Sequence, residues 1–155
     1  MRFLIQRVKH AAVSVQRKTD LIEKVSGIEK GLLILVGISM TDTTDTADKM
    51  LKKAMNLRIF EDAEGKTNLS LKDVNGSCLI VSQFTLYASC KKGNRPSFTE
   101  AGNPHAAEEL YDYIVLKAQE YCSNVQCGEF GADMKVELLN DGPFTVWLDS
   151  NELGY

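Results

Sequence analysis

Histidine is nearly absent from this 155-residue chain: His10 and His105 stand far apart, and neither belongs to an HExxH-like pair of metal ligands. A hydrolase built on this chain would therefore be expected to work without a serine–histidine–acid triad. Cys78, Cys90, Cys122 and Cys127 are irregularly spaced and form no close CxxC pair, so they read as reduced thiols, not as a zinc site or redox dithiol. No metal and no cofactor is expected. Positive charge is not in excess: 18 Lys and Arg against 21 Asp and Glu give a net charge of −3, which excludes a protein that coats duplex DNA through a broad basic face. A small, local nucleic-acid contact stays open. No apolar run approaches the roughly 20 residues of a membrane span, and residues 1–8 alternate like a strand instead of opening as a signal peptide. The expectation is a cytoplasmic protein without membrane contact. Repeats, low-complexity tracts and Pro/Gly/Ser-rich linkers are also missing, so residues 1–155 are expected to fold as a single domain.

What is present is an alternation of strands with two helices. Residues 3–8 and 12–16 alternate in the strand period, and 32–36 form a short apolar run, bracketed by Gly31 and Gly37, that suits a buried central strand. Several N-cap candidates between Thr41 and Asp45 precede Ala47, Met50, Leu51, Ala54 and Met55 at helical spacing, which predicts a helix over 44–57. Residues 57–61 and 79–87 read as strands, with turns at Glu64-Gly65-Lys66 and Asn75-Gly76. Asn103-Pro104 opens a second amphipathic helix whose stripe is Ala107, Leu110, Tyr111, Ile114, Val115, Ala118 and Tyr121. Residues 135–139 and 144–148 supply the last two strands, joined by Asn140-Asp141-Gly142-Pro143. The class is α+β, with strands in the majority.

Three constellations carry potential chemistry. Ser82-Gln83-Phe84-Thr85 sets hydroxyls and an amide at the end of an apolar strand, where N–H groups leaving the ladder could face a ligand; a merely polar strand end fits as well. Lys91-Lys92-Gly93-Asn94-Arg95-Pro96-Ser97-Phe98 is a basic loop with an aromatic, suited to a phosphate or a single-stranded terminus, or simply to solvent. Asp141-Gly142-Pro143-Phe144-Thr145 places glycine and proline just before a strand. Since X–Pro bonds are cis in only about 5–6% of folded-protein cases, the residues alone favour an ordinary trans turn there.

Taken in chain order, Gln6-Arg7-Val8, Ser82-Gln83-Phe84-Thr85-Leu86, the 93–98 loop, Gly128-Glu129-Phe130-Gly131-Ala132-Asp133-Met134 and Asn140-Asp141-Gly142-Pro143-Phe144-Thr145 closely resemble the D-aminoacyl-tRNA deacylase family. The resemblance runs from Met1 to at least Leu148. It implies a strand-rich α+β domain with a mixed or antiparallel, barrel-like sheet packed with two main helices, and a homodimer acting on the aminoacylated 3′ end of tRNA, with a cis Gly142–Pro143 peptide from one subunit reaching into the site of the other. Gly142 and Pro143 would be the chirality filter, their main-chain oxygens capturing the α-amino group and leaving no room for an L side chain. Arg7 would brace that motif, and Phe130 and Met134 would line the terminal adenosine pocket; without the resemblance the last two read as core.

An aminoacyl ester is already activated, so holding it beside a water and offering N–H donors to the oxyanion supplies much of the acceleration. The main-chain amides of Phe84 and Thr85 are the candidate donors. The resemblance adds the 2′-hydroxyl of the terminal ribose as an activator of water. The Thr85 hydroxyl is assigned to positioning, because a threonine is a weak nucleophile without an activating base or amine; an acyl-enzyme is the alternative. Ser82 and Gln83 are expected to orient substrate or support the site. Glycyl-tRNA is a candidate second substrate. Two rivals stand beside this reading: a related deacylase of L-mischarged tRNA with a trans Gly-Pro, and a non-catalytic dimeric tRNA-end-binding module.

Overall fold

The computed structural model describes residues 1–16 and 22–155. Its longest strands are β1 (Arg2–Gln16) and β8 (Met134–Asp149), which run antiparallel side by side. The other edge of β1 is shared: its first half pairs with β3 (Gly31–Gly37), its second half with β2 (Ile22–Ile28). From β3 the sheet continues in parallel through β6 (Ser77–Ser82) to β7 (Val125–Cys127). A separate hairpin joins β4 (Phe60–Glu61) and β5 (Thr67–Leu69). The sheet curls so far that Ser26 on β2 donates through its hydroxyl to the Cys127 carbonyl on β7, 2.7 Å away. This is the expected α+β architecture: strand-rich as the periodicity predicts, and barrel-like as the resemblance implies.

Helices α1 (Thr44–Met55) and α2 (Pro104–Ala118) cover one face. Each begins where its capping chemistry dictates. The Thr43 hydroxyl accepts from the Thr46 N–H, and Asn103 Oδ1 accepts from the His105 N–H with Pro104 in the first turn. Under them lies a core that includes Phe3, Ile5, Ile34, Ile80, Met50, Leu51, Tyr111 and Ile114. Each fully buried side chain of this size stabilises by roughly 1.5–3 kcal/mol. A second, smaller core inside the curl holds Val8, Ala11, Val13, Ile28, Leu33, Leu79 and Val81. Among the described residues, no helix is long and apolar enough to cross a membrane.

Three sequence expectations need correction. The first helix stops at Met55, where Asn56 caps it, two residues short of Leu57. The strand expected over 57–61 shrinks to Phe60–Glu61, because the Leu57 N–H still bonds back to the Ala54 carbonyl and the Ile59 carbonyl is taken by an arginine side chain. The strand expected over 79–87 ends at Ser82 and turns into a single 3₁₀ turn, Phe84–Tyr87. That turn sits hard against the end of β3: a Cβ on Gly37 would lie 2.9 Å from the Leu86 Cβ, so only glycine admits the approach. Strands β2, β5 and β7 were not foreseen; Ile22, Glu23 and Val25 on β2 are all exposed and show no alternation.

Candidate active site

A cavity of about 550 Å³ opens between the end of β6, the start of α2 and the segment before β8. Ser82, Gln83, Phe84, Phe130 and Met134 line it, five residues the sequence singled out from two motifs nearly fifty positions apart. Val36, Ile38, Ala107 and Val136 complete an apolar floor, so the cavity is where the two cores fail to close. Phe130 is fixed from behind by Tyr111, whose ring centroid is 5.7 Å away and whose hydroxyl donates to the Ile80 carbonyl at 2.8 Å. Burial holds the Tyr111 hydroxyl and the Cys78 thiol protonated far above their ordinary range. At the mouth, Phe84 is 59% exposed and meets Phe98 of the basic loop edge-on at 5.0 Å. Lys91, Lys92 and Arg95 on that loop are exposed, and the loop is closed by paired main-chain bonds between Ser89 and Ser97.

The 3₁₀ turn gives the rim its donors. The Gln83 N–H is consumed by the Val36 carbonyl, whereas the Leu86 and Ala88 N–H groups bond to Gln83 and Thr85 within the turn. Phe84 and Thr85 lie at its start, where backbone N–H groups have no acceptor in the preceding turn. Thr85 itself is exposed and lies outside the cavity lining; its hydroxyl accepts from the Gln83 side-chain amide.

Arg7, Gly142 and Pro143 form a second group away from the cavity lining. Between the paired positions Gln6/Thr145 and Val8/Asn140, β1 has Arg7 alone while β8 has Asp141, Gly142, Pro143 and Phe144. The excess residues loop out, as the sequence expected, but inside one long strand instead of between two. The Gly142–Pro143 peptide is cis, unlike the trans turn favoured by the residues alone. Asn140 closes the loop, its Oδ1 accepting from the Phe144 N–H at 2.6 Å. Arg7 is buried beneath it. Nε donates to the Asp141 carbonyl at 2.7 Å, Nη1 donates to the Ile59 carbonyl at 2.6 Å, and the guanidinium lies 4.9 Å from the Phe144 ring centroid. Gly142 has φ +144, and a Cβ there would stand 3.0 Å from the Phe144 nitrogen and 3.1 Å from Arg7 Nη2. Both Gly142 and Pro143 face solvent.

Sequence reasoning missed Gly37, which was read only as a bracket, and Asn140, whose closing role shows only once its partner Phe144 is folded back onto it. It also missed the first turn of α2 as a cavity wall. No periodic signal marks such a wall, because Pro104 and Ala107 serve the helix and the cavity together.

Comparison with known proteins covers the same span as these features. Residues 4–149 match the family described as D-Tyr-tRNA(Tyr) deacylase. A D-aminoacyl-tRNA deacylase of Clostridium novyi (strain NT) is 51% identical over 152 residues, covering 98% of this chain and 99% of that protein. One from Lactobacillus acidophilus is 54% identical over 149 residues, covering 96% and 99%. Among solved structures, a c-Myc DNA Unwinding Element Binding Protein superposes with a TM-score of 0.88 at 38% identity, over 96% of this chain and 98% of that one. A probable eukaryotic D-amino acid tRNA deacylase shares the fold, with a TM-score of 0.79 at 18% identity over 95% and 97%. A family match over nearly the whole length, with relatives about half identical to it, means that this chain belongs to the D-Tyr-tRNA(Tyr) deacylase family.

Proposed function

We propose that residues 1–155 form one cytoplasmic deacylase domain that hydrolyses the ester of D-aminoacyl-tRNA, releasing the D-amino acid and tRNA and sparing L-aminoacyl-tRNA. The hydrolase class comes with the family; the reading of the site rests on one observation. The cavity gathers Ser82, Gln83, Phe84, Phe130 and Met134 beside the start of the 3₁₀ turn. Phe130 and Met134 receive the terminal adenosine, an aromatic and a soft thioether being suited to a base. Phe84 and Thr85 offer main-chain N–H groups to the oxyanion, a contribution worth about 10²–10³ in rate per donor. Thr85 positions, because its hydroxyl faces a side-chain amide, which cannot take its proton. Water is activated by the ribose 2′-hydroxyl, so a 2′-deoxy terminus is expected to be a poor substrate. Lys91, Lys92 and Arg95 meet few phosphates, in keeping with the acidic net charge and a shallow salt dependence.

Gly142 and Pro143 supply the chirality filter. They lie outside the cavity of their own chain and face solvent on a loop gripped by Arg7, so the reading requires a homodimer in which the loop enters the partner's cavity. A filter made of main chain is indifferent to which D side chain arrives. It has nothing to reject in glycine, which makes glycyl-tRNA a second substrate.

Subunit complementation tests the arrangement. Gly37→Val protein, whose added side chain would push the 3₁₀ turn and its main-chain donors off the rim, mixed with Arg7→Met protein, each poorly active alone, should recover about a quarter of wild-type turnover, because half the dimers are hybrids with one complete site. No recovery in demonstrably exchanged dimers would place filter and cavity in the same subunit and contradict the reading.

A further inference from the structure

Arg7 grips one part of the proposed site, and the other part has a counterpart on the same strand. Arg2, at the start of β1, donates from Nη1 to the Leu86 carbonyl at 2.9 Å, within the 3₁₀ turn. Its Nε donates to Asp149 Oδ2 at 2.8 Å. Its Cζ lies over the ring of Tyr87, 4.3 Å from the centroid, and over that of Trp147, 5.6 Å from the centroid. The turn has no side-chain cap at Gln83, and its later carbonyls have no acceptor role within so short a helix. It is therefore held from outside, by the Gly37 contact below and the Arg2 guanidinium at its far end.

We infer that Arg2 is a positioning residue for the deacylation, fixing the turn whose Phe84 and Thr85 main-chain N–H groups meet the oxyanion. This rests on the reaction proposed above. A backbone donor has no rotamer with which to adjust, so its placement depends on what anchors the main chain, and a displacement of about 1 Å costs about 100-fold in rate. Only a guanidinium fork makes these contacts together: one nitrogen on a carboxylate, another on a carbonyl, and its central carbon over aromatic rings. Lysine reaches one of them. Strand β1 thus carries two arginines that each hold a main-chain carbonyl of a different part of the site, Arg2 at Leu86 and Arg7 at Asp141.

The test compares Arg2→Gln and Arg2→Lys with Asp149→Asn, which removes the ion pair but leaves the donor to Leu86 in place. Steady-state kinetics on D-tyrosyl-tRNA are read together with amide hydrogen exchange at Leu86 and Ala88, whose N–H groups bond within the turn. Both Arg2 variants should lower kcat by about tenfold or more, leave KM within about twofold, and speed exchange at the two amides. Asp149→Asn should stay near wild type in both readouts, even where its melting temperature falls as far. Equal losses of kcat in Asp149→Asn and the Arg2 variants at matched melting temperature would reduce Arg2 to a structural role. Wild-type kcat in Arg2→Lys, the variant that best preserves the fold, would overturn the inference outright. The exchange readout separates the failures: unchanged exchange in Arg2→Gln removes the brace, whereas a wild-type protein that hydrolyses no aminoacyl-tRNA removes the reaction it serves.

Discussion

The cavity and the Gly142–Pro143 loop are built on opposite principles. The cavity is apolar surface that two cores leave uncovered, and its walls are side chains that can be exchanged one at a time. The loop has almost no core of its own. Its shape is set by polar contacts to main chain, from Arg7 to Asp141 and from Asn140 to Phe144. A surface of the first kind tolerates graded change, while one of the second kind holds or fails as a unit, because its few part-buried polar contacts depend on one another.

The largest break should therefore come from the loop side. Arg7→Met removes two charge-assisted hydrogen bonds, to Asp141 and Ile59, and should cost about 3 kcal/mol, or about 10 °C in melting temperature, by calorimetry. Turnover of D-tyrosyl-tRNA should fall by about 100-fold. On the cavity side the effect is smaller and of another kind. Phe130→Ala should raise KM about tenfold with kcat within about twofold, since it removes binding surface and no group that acts at the ester.

Thr85 lies between these cases, at the rim. Thr85→Val should lower kcat by only about three- to tenfold, as the main-chain donor is retained. Near-complete loss with tRNA binding intact would favour a covalent role for the hydroxyl. The smallest effect separates the two regions by pH. Burial raises the Cys78 thiol and the Tyr111 hydroxyl behind the cavity and pushes Tyr87 up to about 12. The folded chain thus keeps protons that the unfolded chain releases, so this contribution is complete below about pH 9 and fades as pH rises toward about 12. A guanidinium does not titrate over that range. Exchange in alkali should accordingly open β6 and α2 before the Arg7 loop.

The elements that frame the cavity were legible because the apolar run of β6, the stripe of α2 and the alternation of β8 have periods, whereas the roles of Phe130 and Met134 came only through resemblance. The loop was legible only through resemblance, since glycine followed by proline reads as a plain turn until Arg7 is seen beneath it. The 3₁₀ turn was misread as strand because Phe84, Thr85 and Tyr87 favour extended chain. What overrode that preference was tertiary: Gly37 vacates the space into which the turn folds, and Arg2 donates to its far carbonyl. Neither contact has any signature in a local window. The division of site residues between a cavity and a solvent-facing loop outside its lining is likewise a matter of topology, decided by how β8 loops out opposite Arg7.

The account stands most directly on the stereochemistry of release. Matched D-tyrosyl-tRNA and L-tyrosyl-tRNA at catalytic protein concentration should give rapid multiple turnover of the D form with the L form spared. Hydrolysis of both, or of the L form alone, would contradict the role given to Gly142 and Pro143; stoichiometric binding with no release of either would make the chain a tRNA-end-binding module.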